Sequence, residues 1–229
     1  MLVSMAVIAI LISIILPSLH GASQTAKQVV CRSNVRQIGI GIAMYADENN
    51  DRIPPSTNVG LAAGGSDQAW KTMMLRIAAP SGQFAGRWDG LGLLVENYLP
   101  APKLFYCPSH TGEFRFGDIA ETWDADGTEI MGNYQYRARG PMAASTATAT
   151  PTLTRRLSLI APGAALVADG MRTRADFNHK IGSNVLRANL SVSWYSDRAG
   201  RLSSIIPTDE SQVSTTRIEQ AWNNLDSPN

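Results

Sequence analysis

LVSMAVIAILISIILP, residues 2–17, carries no charge, and only Ser4 and Ser13 interrupt its apolar run. At 1.5 Å per residue it makes a helix about 24 Å long, against a bilayer core of about 30 Å. It reads as a membrane helix a few residues short. A cleaved signal peptide would need a basic leader and a small-x-small cleavage site. The first basic residue is instead Lys27, beyond the run, and Gly21-Ala22-Ser23 is flanked by His20 and Gln24. A buried core helix fits poorly, because the run is apolar on every side. The candidate membrane and assembly residues are Leu2, Val3, Val7, Ile8, Ile10, Leu11, Ile14, Ile15 and Pro17. Pro17 lacks an N–H and is expected to kink or open the helix there. Lys27, Arg32 and Arg36 follow the span with nothing basic before it, a reversed charge bias. The short span and the absent leader share one explanation, a natural N-terminus upstream of Met1.

Working outward, Ser18 to Ala46 continues as helix. Cys31, Val35, Ile38, Ile42 and Tyr45 recur every three or four residues and define one face. Lys27, Arg32, Ser33, Asn34 and Arg36 take the other positions. This half is an amphipathic spine. Gly39 and Gly41 weaken helix propensity, and on a helix packed against a sheet they allow close approach. The helix should stop at Asp47-Glu48-Asn49-Asn50-Asp51, ahead of Pro54-Pro55. The expected organisation is a membrane or filament-core helix over 1–22, its amphipathic continuation over 23–50, and one globular domain over 51–229.

Composition excludes more than it selects. The 229-residue chain has a net charge of +1 and 17% charged residues, so there is no bulk basic signal for nucleic acid. The two cysteines, Cys31 and Cys107, form no Cys-x-x-Cys pair and cannot make a zinc site alone. Cys31 on the buried face is either a small core residue or half of a disulfide with Cys107, the latter if the domain lies outside the cytoplasm. No glycine-rich phosphate loop follows a strand and opens a helix.

Asp67 to Ala79 has helical composition, and Gly90 to Leu99 reads as a short helix or turn. Leu104 to Cys107 reads as a short strand closed by Pro108. Asn133 to Arg137 alternates like a strand, and Ala164 to Ala168 is a candidate buried strand followed by Asp169-Gly170. Asn184–Arg187 and Leu190–Tyr195 form the expected hairpin. Ser214 to Leu225 reads as a closing helix with a Ser or Thr cap ahead of Glu219. Ala143 to Thr152 is low in complexity and reads as exposed loop. The fold class is therefore α+β, a helical spine on a small antiparallel sheet.

Sites of chemistry are sparse. His179 with Asp169 and Asp176 is the grouping an exported hydrolase would need, yet no activated nucleophile pairs with it. His179 is expected to hydrogen-bond a backbone group or loop at the start of the hairpin. Asp124-Ala125-Asp126-Gly127 has part of a calcium loop without its closing Glu. No catalytic residue, resident cofactor or metal site is assigned, with calcium the nearest candidate. The five tryptophans read as packing rather than a sugar platform.

The N-terminal run through Leu16-Pro17-Ser18-Leu19 resembles the first helix of type IV pilins and type II secretion pseudopilins. Cys31-Arg-Ser-Asn-Val-Arg-Gln-Ile-Gly, Tyr45-Ala-Asp-Glu-Asn-Asn-Asp-Arg-Ile-Pro-Pro and Cys107-Pro-Ser resemble segments of a large prepilin-like group. So does His179-x-x-Gly182-x-Asn184-Val185, with Val192-Ser193-Trp194 beyond it. The chain departs from the pattern twice. The cleavage motif and helix glutamate are absent, with Met1 aligned just after that glutamate. The Asp-Gly of the C-terminal signature is replaced by Asn189-Leu190.

The resemblance implies a pilin-like fold and a structural subunit of a pseudopilus or pilus-like filament. Its implied partners are other pilin or pseudopilin subunits, the inner membrane and the assembly machinery. The globular domain would face the periplasm or the exterior. The alternative is a monomeric, membrane-anchored extracytoplasmic binding module.

Overall fold

A computed structural model describes residues 2–59, 68–78, 84–125, 127–141 and 154–227. The low-complexity stretch Ala143–Thr152, Asp126 of the acidic loop, and the side chains of Leu2, Val3, Val7, Ile15 and Pro17 lie outside what is described.

The first element, α1, spans Leu2–Glu48 without a break, so the helix does not open at Pro17. No helix among the described residues is long and apolar enough to cross a membrane. The second half of α1 packs on the domain as its periodicity requires, with Cys31, Val35, Ile38 and Ile42 fully buried. Each buried Val or Ile contributes about 1.5–3 kcal/mol. Asn34 is a correction: it is buried, not solvent-facing, and its amide donates to Tyr106 O at 3.1 Å and to Tyr134 Oη at 3.4 Å. The helix ends on Asn50 and Asp51, both with positive φ (56° and 65°), a left-handed stop that Asn tolerates.

After α1 come β1 (Met74–Arg76), α2 (Phe116–Ile119), β2 (Ile130–Met131), β3 (Tyr134–Tyr136) and β4 (Ala165–Asp169). β5 (Gly182–Arg187), β6 (Val192–Ser196), α3 (Arg201–Ile205) and α4 (Thr215–Asp226) complete the chain. β1 and β2 form a two-stranded sheet, and β3-β4-β5-β6 an antiparallel sheet of four. The molecule is thus α+β, with a long N-terminal helix against antiparallel sheet.

Strand alternation sets what each face meets. Tyr134 points to α1, where its hydroxyl lies 3.3 Å from Cys31 Sγ. Arg137, just past the strand, points the other way, pairing with Asp226 of α4 at 2.7 Å and stacking on Trp222. Leu186 of β5 underlies Gly39, where an added Cβ would sit 2.6 Å from Leu186 Cδ1. β4 is buried along its whole length, which is why it reads as a continuous apolar run rather than an alternating one.

Two expected elements are corrected. The helix expected over Asp67–Ala79 is, within its described part, a 3-10 turn at Ala69–Lys71 followed by strand β1. Pairing with Met131 and Ile130 overrides the local helix propensity. The strand expected over Leu104–Cys107 does not form: Leu104 and Phe105 close a 3-10 turn, Pro102–Phe105, and Tyr106 and Cys107 follow it outside any strand. Pro102 at its start supplies a preset φ and lacks an N–H for a ladder. The turn at Gly90–Leu94, strands β3 and β4, the hairpin and α4 match expectation, and Ser214 caps α4 by accepting from Arg217 N–H.

The hairpin turn between β5 and β6 places Leu190 at φ 64°. Leu190 N–H donates to Arg187 O at 2.8 Å and Arg187 N–H to Ser191 O at 2.9 Å. This is a three-residue loop whose last position is left-handed, normally a glycine. Asn189 supports it by accepting from Ser191 N–H and Oγ.

Candidate functional site

The end of β4, the middle of α1, the turn before Pro108 and the approach to β5 converge on one buried point. Cys31, Cys107, Asp169 and His179 each present one ligand atom there, and these atoms all lie within 4.8 Å of one another. Cys31 gets there because it heads the buried face of α1. Asp169 sits at the last position of β4, on the same face as Val167. Cys107 follows the 3-10 turn that Pro102 initiates.

His179 is placed by a tight turn. Lys180 has φ 58°, and Ile181 N–H donates back to His179 O at 2.6 Å. Gly182 then lets the start of β5 lie close beside the end of β6, since a Cβ there would lie 2.3 Å from Tyr195 O and 2.5 Å from the Trp194 ring. Asn184, two residues on, closes the arrangement. Its N–H donates to Asp169 Oδ2 at 2.6 Å, and its side-chain amide lies 3.4 Å from both Asp169 Oδ2 and His179 Nε2. His179, Gly182 and Asn184 are therefore brought to one place, each with a physical task.

The two cysteines are neighbours but free thiols. The Cys31 thiol donates to Asp169 Oδ1 at 2.9 Å. Cys107 Sγ lies 3.6 Å from His179 Nε2 and accepts from Ser109 N–H at 3.4 Å. Burial, then the Cys107 and Asp169 contacts, push the Cys31 thiol far above its ordinary range. Burial also opposes ionisation of Cys107, but its contacts with Cys31 and His179 outweigh it and bring this thiol down to about 7. For His179 burial works against the charged form, and the Cys107 and Asp169 contacts reverse it, so its pKa rises. Two inequivalent thiols thus share a pocket with a carboxylate and an imidazole.

Around them lies a second layer. Asn178 donates to Asp169 Oδ1 at 3.3 Å and to Asn133 O at 3.0 Å, while its carbonyl oxygen lies 2.7 Å from His110 Nδ1. Trp194 meets the His179 ring edge-on at 5.6 Å between centroids. A groove of about 460 Å³, lined by Gln24, Lys27, Pro108 and Trp194 among others, reaches as far as His179.

The grouping read from sequence is half right. Asp169 does face His179, at 3.9 Å. Asp176 does not join it. Its carboxylate is held by Arg172 Nε at 3.0 Å and Thr173 Oγ1 at 2.8 Å. His179 Nε2 meets side chains rather than a backbone group. The structure also groups two sulfurs, one nitrogen and one oxygen that the sequence leaves far apart. Sequence did hold a signal. Both cysteines and the histidine fall within three of the four segments singled out in the sequence. Of the acidic loop, Asp124 is exposed in a turn.

The arrangement can ligate a metal ion or exchange thiol for disulfide. No protein-family model, curated protein or solved structure matches the chain.

Proposed function

We propose that the chain is a structural subunit of a type II secretion pseudopilus or type IV pilus-like filament, assembling through the first half of α1 with the same helices of other copies. One observation carries this reading. Met5, Ile8, Ile10, Leu11, Ile12 and Ile14 are apolar yet 50–68% exposed. Ile8 and Ile10 point roughly 200° apart on a helix of 3.6 residues per turn, so cover is needed on every side. One docked partner shields one face. Lipid, and then a bundle of like helices, shields all of them. The helix stores the subunit in the inner membrane, with the globular domain on the periplasmic side, until the assembly machinery transfers it to the filament.

The test is oxidative crosslinking in cells of full-length chains carrying Ile8→Cys and Ile10→Cys together, with Leu159→Cys in the domain as control. Leu159 is equally exposed at 68%. A ladder extending beyond dimers for the helix pair, and background for the control, is expected. Helix-pair products no higher than the control would leave the monomeric anchored module as the better account.

A further inference from the structure

We propose that Cys31, Cys107, His179 and Asp169 form a structural zinc(II) site that pins the spine half of α1 to the four-stranded sheet. This is independent of filament assembly and rests on the geometry of the cluster.

The donor set selects the ion. Two sulfurs exclude magnesium and calcium, which take oxygen, and sulfur with imidazole suits zinc. Four protein ligands close a tetrahedron and leave no open position, as in structural rather than catalytic sites. One edge already matches. Zinc at about 2.3 Å from sulfur and about 2.0 Å from nitrogen sets a tetrahedral S···N edge of roughly 3.5 Å, and Cys107 Sγ and His179 Nε2 are 3.6 Å apart. Cys31 Sγ–Asp169 Oδ1 at 2.9 Å is shorter, a hydrogen-bond distance that opens when the thiol proton leaves, and His179 Nε2–Asp169 Oδ2 at 3.9 Å is longer, so these ligands shift when the ion enters.

The surroundings hold the ligands in place. Asn184 Nδ2 lies 3.4 Å from both His179 Nε2 and Asp169 Oδ2, so one amide braces two of the four ligands. Asn184 N–H and Asn178 Nδ2 fix the two oxygens of Asp169. Such outer contacts orient metal ligands and are part of a working site. Cys31 and Asp169 are wholly buried and Cys107 is 4% exposed, so the site is dry, while the groove beside His179 gives the ion a route in. Binding replaces two S–H bonds by two Zn–S bonds and releases two protons to solvent. The zinc charge then compensates the thiolates in a place where their ionisation is otherwise costly.

The experiment uses the full chain, purified in detergent under reducing conditions and exposed to zinc, then to cobalt(II) in its place. About one zinc per chain should survive desalting, and cobalt should give the intense visible bands of a tetrahedral site with thiolate-to-metal absorption in the near ultraviolet. Cys107→Ser and His179→Ala should each lower retained zinc at least about tenfold, and a chelator should lower the Tm of the parent but not of these variants. Because a variant could misfold, the cobalt spectrum of the parent stands alone: no thiolate band overturns the site. Zinc retained equally by Cys107→Ser overturns it as well. So does a Cys31–Cys107 disulfide peptide from the native protein whose reduced form takes up no zinc.

Discussion

The two halves of α1 belong to one continuous helix and have opposite surroundings. Ile14 is 68% exposed, whereas Ile38 is fully buried. Gly21 has nothing within 4 Å of where a Cβ would be, and Gly39 lies against Leu186. Continuous helix therefore says nothing about the state of its side chains. The pattern does. Where apolar residues fill every direction, no single domain face can cover them. Where they keep to one stripe with Arg32, Ser33 and Arg36 outside it, the domain's own sheet covers them.

Substitutions can break this contrast in order of expected effect. Ile38→Ala should cost about 2–5 kcal/mol of stability, read by urea unfolding with an unchanged slope; a loss under about 0.5 kcal/mol would mean the spine is not packed as described. The paired glycines come next. Gly39→Ala should cost about 1–3 kcal/mol, since Leu186 is itself enclosed and cannot swing away freely. Gly21→Ala should instead strengthen its half of the helix by up to about 1 kcal/mol, visible as slower local amide exchange. Equal effects at the two glycines would erase the distinction. Smallest of all, Ile14→Ala should leave domain unfolding within about 0.5 kcal/mol of the parent. A larger shift would show that the first half already contacts the domain.

Much of the architecture was legible because its signals are local. The stripe of α1 repeats within one element, the apolar run of β4 announces a strand covered on both faces, and Ser214 precedes its helix at cap spacing. β1 was not legible. Met74-Leu75-Arg76 is buried throughout, so no alternation marks it, and its neighbours are good helix formers. Only pairing with a strand more than fifty residues away (Met131, Ile130) decides its state. The cluster was hidden for the same reason. Metal sites are read from sequence by short spacings between ligands, and here each of the four comes from a different segment. Asn34 shows the lesser version. It looks solvent-facing by periodicity, and only the folded position of Tyr106 and Tyr134 gives it partners.

The contact between Cys31 and Asp169 spans 138 positions of sequence, and the imidazole that completes the group comes later still. Closing so long a loop costs entropy before any contact rewards it. The helix face headed by Cys31 therefore lacks its sheet partners until most of the chain has been synthesised, with only the turns between Gly90 and Tyr106 to lie against before then. During translation that stripe is only partly shielded. Completion of the β5–β6 hairpin is the event that completes its cover, so folding of this domain is expected to be a late, near-simultaneous closure rather than growth outward from its first helix.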